Sequence, residues 1–311
     1  MSAHGQDSKI PVIDMRKETS AIDLVNAFET IGFATLIHHG VDDNAMQTGF
    51  DASSRFFALP ESTKMESRYQ SHSSNRGYIA FQTEAHSATP ELKETFDIGW
   101  DEGSEFDTPW PKSELLEMKE QLMNYFTACD ALYLRVMRLL GEGMKLEDPD
   151  FFVKRCNEKH CNLRLLHYPE LTDQAYQQEP VLVRGGRHTD FGIITILQQD
   201  SVGGLRLQKR GETEWFPVPP MPNSFLVNVG DMLQRWTNDR LLATPHQVVF
   251  FNDQDNNDDE KVIPERFSVA FFCNANKEVV LDPAVFSEKP KYEPMKAIDY
   301  ITGRLADTIA M

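Results

Sequence analysis

Residues His188–Leu207 read HTDFGIITILQQDSVGGLRL, and the character of the rest of the chain follows outward from them. FGIITILQQ is a strand-like apolar run, Gly203-Gly204 marks a turn, and GLRLQ begins a second short strand. Ahead of the first run stands His188-Thr189-Asp190. In extended chain, residues two apart share a face, so His188 and Asp190 can converge on one point. An imidazole and a carboxylate on one face are two ligands of a facial metal site. H-x-D alone is common by chance, however, and a lone strand histidine is more often a satisfied core residue than a ligand.

The same texture continues on both sides. CNLRLLHY (Cys161–Tyr168), EWFPV, SFLVNV, HQVVFF, RFSVAFFC and EVVL are short strand-like runs punctuated by Gly, Pro, Asn and Asp. Many short strands with frequent turns imply an all-β sandwich, barrel or jelly roll. His246, in TPHQVVF, opens one of these strands and can supply a third ligand. Two histidines and one carboxylate on one face leave half of an octahedron open, the arrangement of non-haem Fe(II) oxygenases. In RFSVAFF, strand parity puts Arg266, Ser268, Ala270 and Phe272 on one face. A guanidinium facing an apolar interior is costly unless it meets an anion. Its planar fork can grip a carboxylate, Ser268 adds a hydroxyl, and Tyr168 could aim a third donor at the same anion. The plainer alternative pairs Arg266 with an internal Asp or Glu.

Before residue 150 the pattern is helical. Leu115, Met118, Leu122, Phe126, Cys129, Tyr133, Val136 and Leu140 recur at steps of three and four, the apolar face of a long helix. Ser113 can cap its start, and Gly141 and Gly143 suit its end. A shorter helix is expected from Ala21 to Ile31, and another from Met295 to about Thr308. The expected architecture is therefore mainly β with surrounding helices. Residues 1–150 form a largely helical cap packed on the core, and residues 151–311 form that core, the two making one structural unit.

The chain has 311 residues and a formal net charge of −17, which disfavours a nucleic-acid backbone or an anionic membrane as partner. No run approaches the ~20 apolar residues of a membrane span, and MSAHGQDSKIPVIDM has no apolar signal segment. A cytoplasmic protein, monomeric or weakly oligomeric, is expected. Cys129, Cys156, Cys161 and Cys273 are scattered and read as reduced thiols, with Cys156, His160 and Cys161 lacking the second half of a zinc site. The acidic run Asp253–Glu260 fails the calcium-loop pattern, because Asp258 and Pro264 stand where Gly and Glu are needed, and reads as a surface loop. Gly185-Gly186 and Gly203-Gly204 read as turns.

Taken in order, these residues resemble the Fe(II)/2-oxoglutarate-dependent oxygenases of the isopenicillin N synthase-like family. The resemblance runs through IPVID (Ile10–Asp14), GFATLIHHGV (Gly32–Val41), FFALPESTK (Phe56–Lys64), RGY (Arg76–Tyr78) and ELKETFDIG (Glu91–Gly99). It is denser in His188–Leu207, WFPVPP (Trp215–Pro220), NSFLVNVGDMLQRWTND (Asn223–Asp239), TPHQV and RFSVAFF. It implies a double-stranded β-helix, a jelly roll of cupin type. It implies that His188, Asp190 and His246 hold Fe(II), and that Arg266 and Ser268, helped by Tyr168, bind the distal carboxylate of 2-oxoglutarate. O2 would be the oxidant, succinate and CO2 the co-products, and ascorbate a candidate reductant. The substrate would be a small organic molecule to be hydroxylated, desaturated or cyclised. An Fe(II)-dependent oxidase of the same fold that does not use 2-oxoglutarate is the alternative.

Leu166 departs from the family, which often has Asn two residues before the equivalent of Tyr168; Asn162 is a candidate to supply the missing hydrogen bond. For the substrate pocket, strand parity nominates Phe272. The resemblance, or nearness to the ligands, nominates Phe81, Arg164, Phe191 and Leu205. Arg164 could hold a carboxylated substrate or pair with a structural acid.

Overall fold

The computed structural model describes residues 10–71, 74–84, 90–111, 116–171, 181–251 and 263–308. Ser113, Leu115 and the acidic run Asp253–Glu260 lie outside the described residues. In the first part of the chain come β1 (Val12–Asp14), α1 (Ser20–Thr30), β2 (Phe33–Ile37), α2 (Asp43–Phe57) and α3 (Glu61–Lys64). They are followed by β3 (Gly77–Ile79), β4 (Glu94–Gly99) and α4 (Leu116–Gly143). The second part contributes β5 (Cys161–Tyr168), β6 (Val181–His188), β7 (Ile194–Gln199), β8 (Leu205–Leu207) and β9 (Phe216–Pro217). It continues with β10 (Phe225–Val229), α5 (Asp231–Trp236), β11 (His246–Phe251) and β12 (Arg266–Cys273), and closes with β13 (Val280–Leu281), β14 (Met295–Lys296) and α6 (Ala297–Thr308).

Two sheets make the core. The larger has eight strands in the order β1-β2-β10-β7-β12-β5-β4-β3; the smaller has four, β6-β11-β8-β9. Each sheet buries one face against the other. Leu205, Leu207 and Val248 of the smaller sheet meet Phe33, Leu166, Tyr168, Leu226 and Ala270 of the larger in one apolar cluster. The opposite face of the larger sheet is covered by helices. Met118, Leu122, Phe126, Cys129, Tyr133, Val136 and Leu140 of α4 are all buried there, at the spacing read from the sequence. Strand β12 divides its side chains by parity: Ser268 and Ala270 face the inter-sheet space, while Val269, Phe271 and Cys273 face the helices.

The region before residue 150 is not only helical. It supplies β1–β4, half of the larger sheet, and β4 pairs with β5 along six residues, Glu94↔His167 through Gly99↔Asn162. ELKETFDIG hides this strand because both of its faces are buried, so charged and apolar residues do not sort into a wet and a dry face. Gly203 and Gly204 do turn, at φ +80° and +90°, whereas Gly185-Gly186 lies inside β6 and is extended. The four cysteines are buried free thiols. No described helix is long and apolar enough to cross a membrane.

Phe271 is fully buried on β12, and its ring meets Phe126 of α4 edge-on at 4.8 Å between centroids. Phe271→Ala is expected to lower unfolding free energy by about 3–5 kcal/mol, measured as a shifted midpoint in urea denaturation.

Candidate active site

The site forms where the two sheets meet at one end. In the smaller sheet β11 lies antiparallel to β6 with His246 directly opposite His188, and the two imidazole centroids are 4.4 Å apart. Asp190 comes two residues after β6 has ended. Its convergence with His188 therefore comes from the chain turning at the strand end, not from shared strand parity. His188 Nε2 lies 3.5 Å and His246 Nε2 3.7 Å from Asp190 Oδ1. One ligand atom from each residue falls within 4.8 Å of the others, the one group among the described residues that could hold a metal ion.

Surrounding groups fix each donor. His188 Nδ1 is 2.7 Å from the Gly186 carbonyl and His246 Nδ1 is 3.1 Å from the Thr244 carbonyl. A carbonyl can only accept, so each Nδ1 carries a proton, and Nε2 is the ring atom turned toward Asp190 that can serve a metal. The other carboxylate oxygen of Asp190, Oδ2, accepts from Thr195 Oγ1 at 2.6 Å and Asn228 Nδ2 at 2.7 Å. Thr195 and Asn228 are register partners on β7 and β10. Burial alone would raise the Asp190 pKa, but His246, His188 and the Asn228 donor outweigh it and hold the carboxyl well below the usual range.

A second polar centre lies on β12. Arg266 is 1% exposed and faces Tyr168 across the β12–β5 pair. Its guanidinium donates to the Gly203 carbonyl at 2.8 Å, Ser268 Oγ at 3.1 Å and Gln199 Oε1 at 3.1 Å, and lies 4.9 Å from the Tyr168 ring centroid. All three acceptors are neutral. Among the described residues Arg266 thus has no Asp or Glu partner, and its buried charge suits an incoming carboxylate. Gln199, opposite Ser268 on β7, escaped the sequence reading because its neighbours in FGIITILQQ carry no recognisable motif. Leu166 also lies opposite Ser268. Asn162 is four residues further along β5, about 13 Å away at the strand rise, and donates to Asp97 instead.

A cavity of about 150 Å³ opens beside the His188–Asp190 pair. Arg164, Phe191 and Phe272 line it, as do Ile301 and Leu305 of α6. Phe81 and Leu205 are not among its described lining residues; Leu205 is packed between the sheets, since its parity on β8 turns it into the inter-sheet cluster. Arg164 meets structural acids. Its Nε and Nη2 donate to the two oxygens of Asp97, each at 2.8 Å, and Nη1 donates to Glu84 at 3.0 Å. Lys93, also lining the cavity, lies 3.0 Å from Glu84 and 2.5 Å from Glu91. Burial works against the Lys93 charge, but the two glutamates outweigh it and raise its pKa. The sequence signal for this cluster was the alternation Glu91, Lys93, Thr95, Asp97, masked by Glu94 on the other face.

Residues 159–275 match the 2OG-Fe(II) oxygenase superfamily, and residues 10–117 match the non-haem dioxygenase N-terminal region. A 2-oxoglutarate-dependent dioxygenase, ecdK of Aspergillus rugulosus, is 34% identical over 301 residues, 89% of this chain and 90% of the relative. The chain belongs to the 2OG-Fe(II) oxygenase superfamily. Among solved structures, a full-length Neurospora crassa protein in complex with alpha-KG and thymine is 32% identical, with TM-score 0.88 over 99% of this chain and 100% of that one. Proline hydroxylase buaE of Petromyces alliaceus is 29% identical over 94% of both chains. This oxygenase is a non-haem Fe(II)- and 2-oxoglutarate-dependent dioxygenase with a jelly-roll core, and it oxidises a small organic molecule with release of succinate and CO2.

Asn228→Ala removes one of the two donors on Asp190 Oδ2. It should weaken divalent-metal binding about 10- to 100-fold while leaving the far-ultraviolet circular dichroism unchanged, as checked by titrating the apoprotein with Mn(II).

Proposed function

We propose that His188 and His246, through Nε2, and Asp190, through Oδ1, hold Fe(II), and that Arg266, Ser268 and Tyr168 receive the distal carboxylate of 2-oxoglutarate. The observation that carries this reading is the pairing of three converging donor atoms with a buried, neutrally partnered guanidinium in the same inter-sheet space. The donor set suits the metal: two neutral imidazoles and one carboxylate are the facial ligands of non-haem Fe(II). When bound, iron and O2 supply the oxidising power that converts 2-oxoglutarate to succinate and CO2 and oxidises the substrate.

The chain's own residues position and protect. Thr195 and Asn228 keep Asp190 Oδ2 occupied, which leaves Oδ1 as the oxygen that would hold the ion. Arg266 neutralises the distal carboxylate at a point fixed by Gly203 and Gln199. Ile301 and Leu305 of α6 close one side of the cavity with apolar surface, and Arg304 ties that helix to Asp231 at 2.8 Å. Phe191 and Phe272 flank the substrate. We also take residues 1–150 and 151–311 to act as one structural unit, because β4 and β5 pair across the boundary. The four buried unpaired thiols favour a reducing, cytoplasmic setting, for a monomer or weak oligomer.

Oxygen uptake should require 2-oxoglutarate, with succinate formed in step. Arg266→Ala should weaken 2-oxoglutarate by about 2 kcal/mol or more, roughly 30-fold in dissociation constant, with iron affinity retained. Uptake that proceeds undiminished without 2-oxoglutarate would instead favour the oxidase.

A further inference from the structure

We propose that the cavity selects an uncharged, amide-bearing substrate and excludes carboxylates, with Glu84 as the residue that sets this preference. The inference rests on the cavity being the substrate site of the proposed dioxygenase. Two buried cations line it, Lys93 and Arg164, and either alone would invite an anion. Both are already answered. Glu84 bridges them, Glu91 takes Lys93 and Asp97 takes Arg164 through two parallel bonds. Among the described residues three carboxylates, Glu84, Glu91 and Asp97, meet three cations, Lys93, Arg164 and, acting on Asp97 from behind the wall, Arg76. A substrate carboxylate brought here would lose its hydration and find no net positive charge, an uncompensated buried anion.

A neutral group fares differently. An ammonium has three N–H bonds and a guanidinium five. After their contacts with the acids, Lys93 keeps one and Arg164 two that can donate to a carbonyl oxygen. These same donors repel a cation at contact distance. Three of the lining residues also hold unsatisfied acceptors: the side-chain carbonyls of Asn75, Asn162 and Asn274 are buried at the cavity's edge without a hydrogen-bond partner, within reach of a substrate N–H once the amide turns. Orphaned buried acceptors call for N–H donors. Uncharged donors and acceptors together describe an amide or lactam. A site built to hydrogen-bond such a group rejects analogues that leave its polar atoms unpaired. Glu84 is decisive because it contacts both Lys93 and Arg164; without its charge, three cations, Arg76 included, would face two acids and a carboxylate could be held.

The experiment is calorimetric titration of the protein loaded with Fe(II) and 2-oxoglutarate under nitrogen. The ligands are matched sets of one shape and different charge: benzamide, benzoate and benzamidinium, then a series of lactams with the corresponding ring carboxylates. The heat of 2-oxoglutarate binding, measured beforehand on the same sample, tests the co-substrate assignment separately. Amides or lactams should bind at least about tenfold more tightly than their carboxylates, and Glu84→Gln should shrink that ratio by about tenfold or invert it. The wild-type comparison stands even if the variant misfolds. Carboxylates or benzamidinium binding as tightly as the amides, no amide in the series binding, or a folded Glu84→Gln protein with an unchanged ratio would each overturn the proposal.

Discussion

The two oxygens of Asp190 have different partners, and the site depends on that division. Oδ2 is bound by Thr195 and Asn228, two register partners in the larger sheet, while Oδ1 faces the Nε2 atoms of His188 and His246, two register partners in the smaller sheet. One carboxylate therefore ties the sheets together at the point where an ion would bridge them. The turn that carries it is tight. The Asp190 carbonyl accepts from the Asp231 amide at 2.7 Å, and a Cβ at Gly230 would lie 2.3 Å from the Gly192 carbonyl. At Gly192 a Cβ would meet the Cys273 carbonyl at 2.4 Å, so close backbone approach, rather than a ligand, is what these glycines serve.

Charge is distributed along the inter-sheet space in a way that separates the roles of its cations. Arg266 has neutral partners and is left with its charge; Arg164 and Lys93 have acid partners and are left only with N–H bonds. Both kinds are buried, so composition and burial do not distinguish them. What differs is the opposite strand. Arg266 faces Tyr168 across β12–β5, whereas Arg164 faces Asp97 across β5–β4. The residue standing across a ladder thus decides whether a buried cation in this space keeps its charge or is answered by an acid.

Much of this was legible in the sequence, for physical reasons. Strands β5 and β12 were readable because short apolar runs sit between turn residues, and parity assigned Ser268 and Ala270 to the inter-sheet face. The long helix was readable because α4 buries one stripe and wets the other. Strand β4 was not, because both its faces are buried, one carrying Thr95 and Asp97 and the other Glu94 beside Phe96 and Ile98, so hydropathy has no period to show. Arg164 illustrates the limit for sites. The sequence left it open between a carboxylate anchor and a structural ion pair, because its partners Asp97 and Glu84 stand 67 and 80 residues away in the chain. The proposed metal triad showed as residue types in order, although His188 and Asp190 converge beyond a strand end rather than through shared parity.

The central claim is that one carboxylate and two histidines present an iron(II) site that 2-oxoglutarate can chelate. The most direct measurement is an anaerobic absorption titration of the metal-free protein with Fe(II) in the presence of 2-oxoglutarate. The account predicts a visible charge-transfer band that saturates at one iron per chain and is absent from the Asp190→Ala and His246→Ala proteins. Iron binding without the band, or a band of equal strength in those variants, would contradict it.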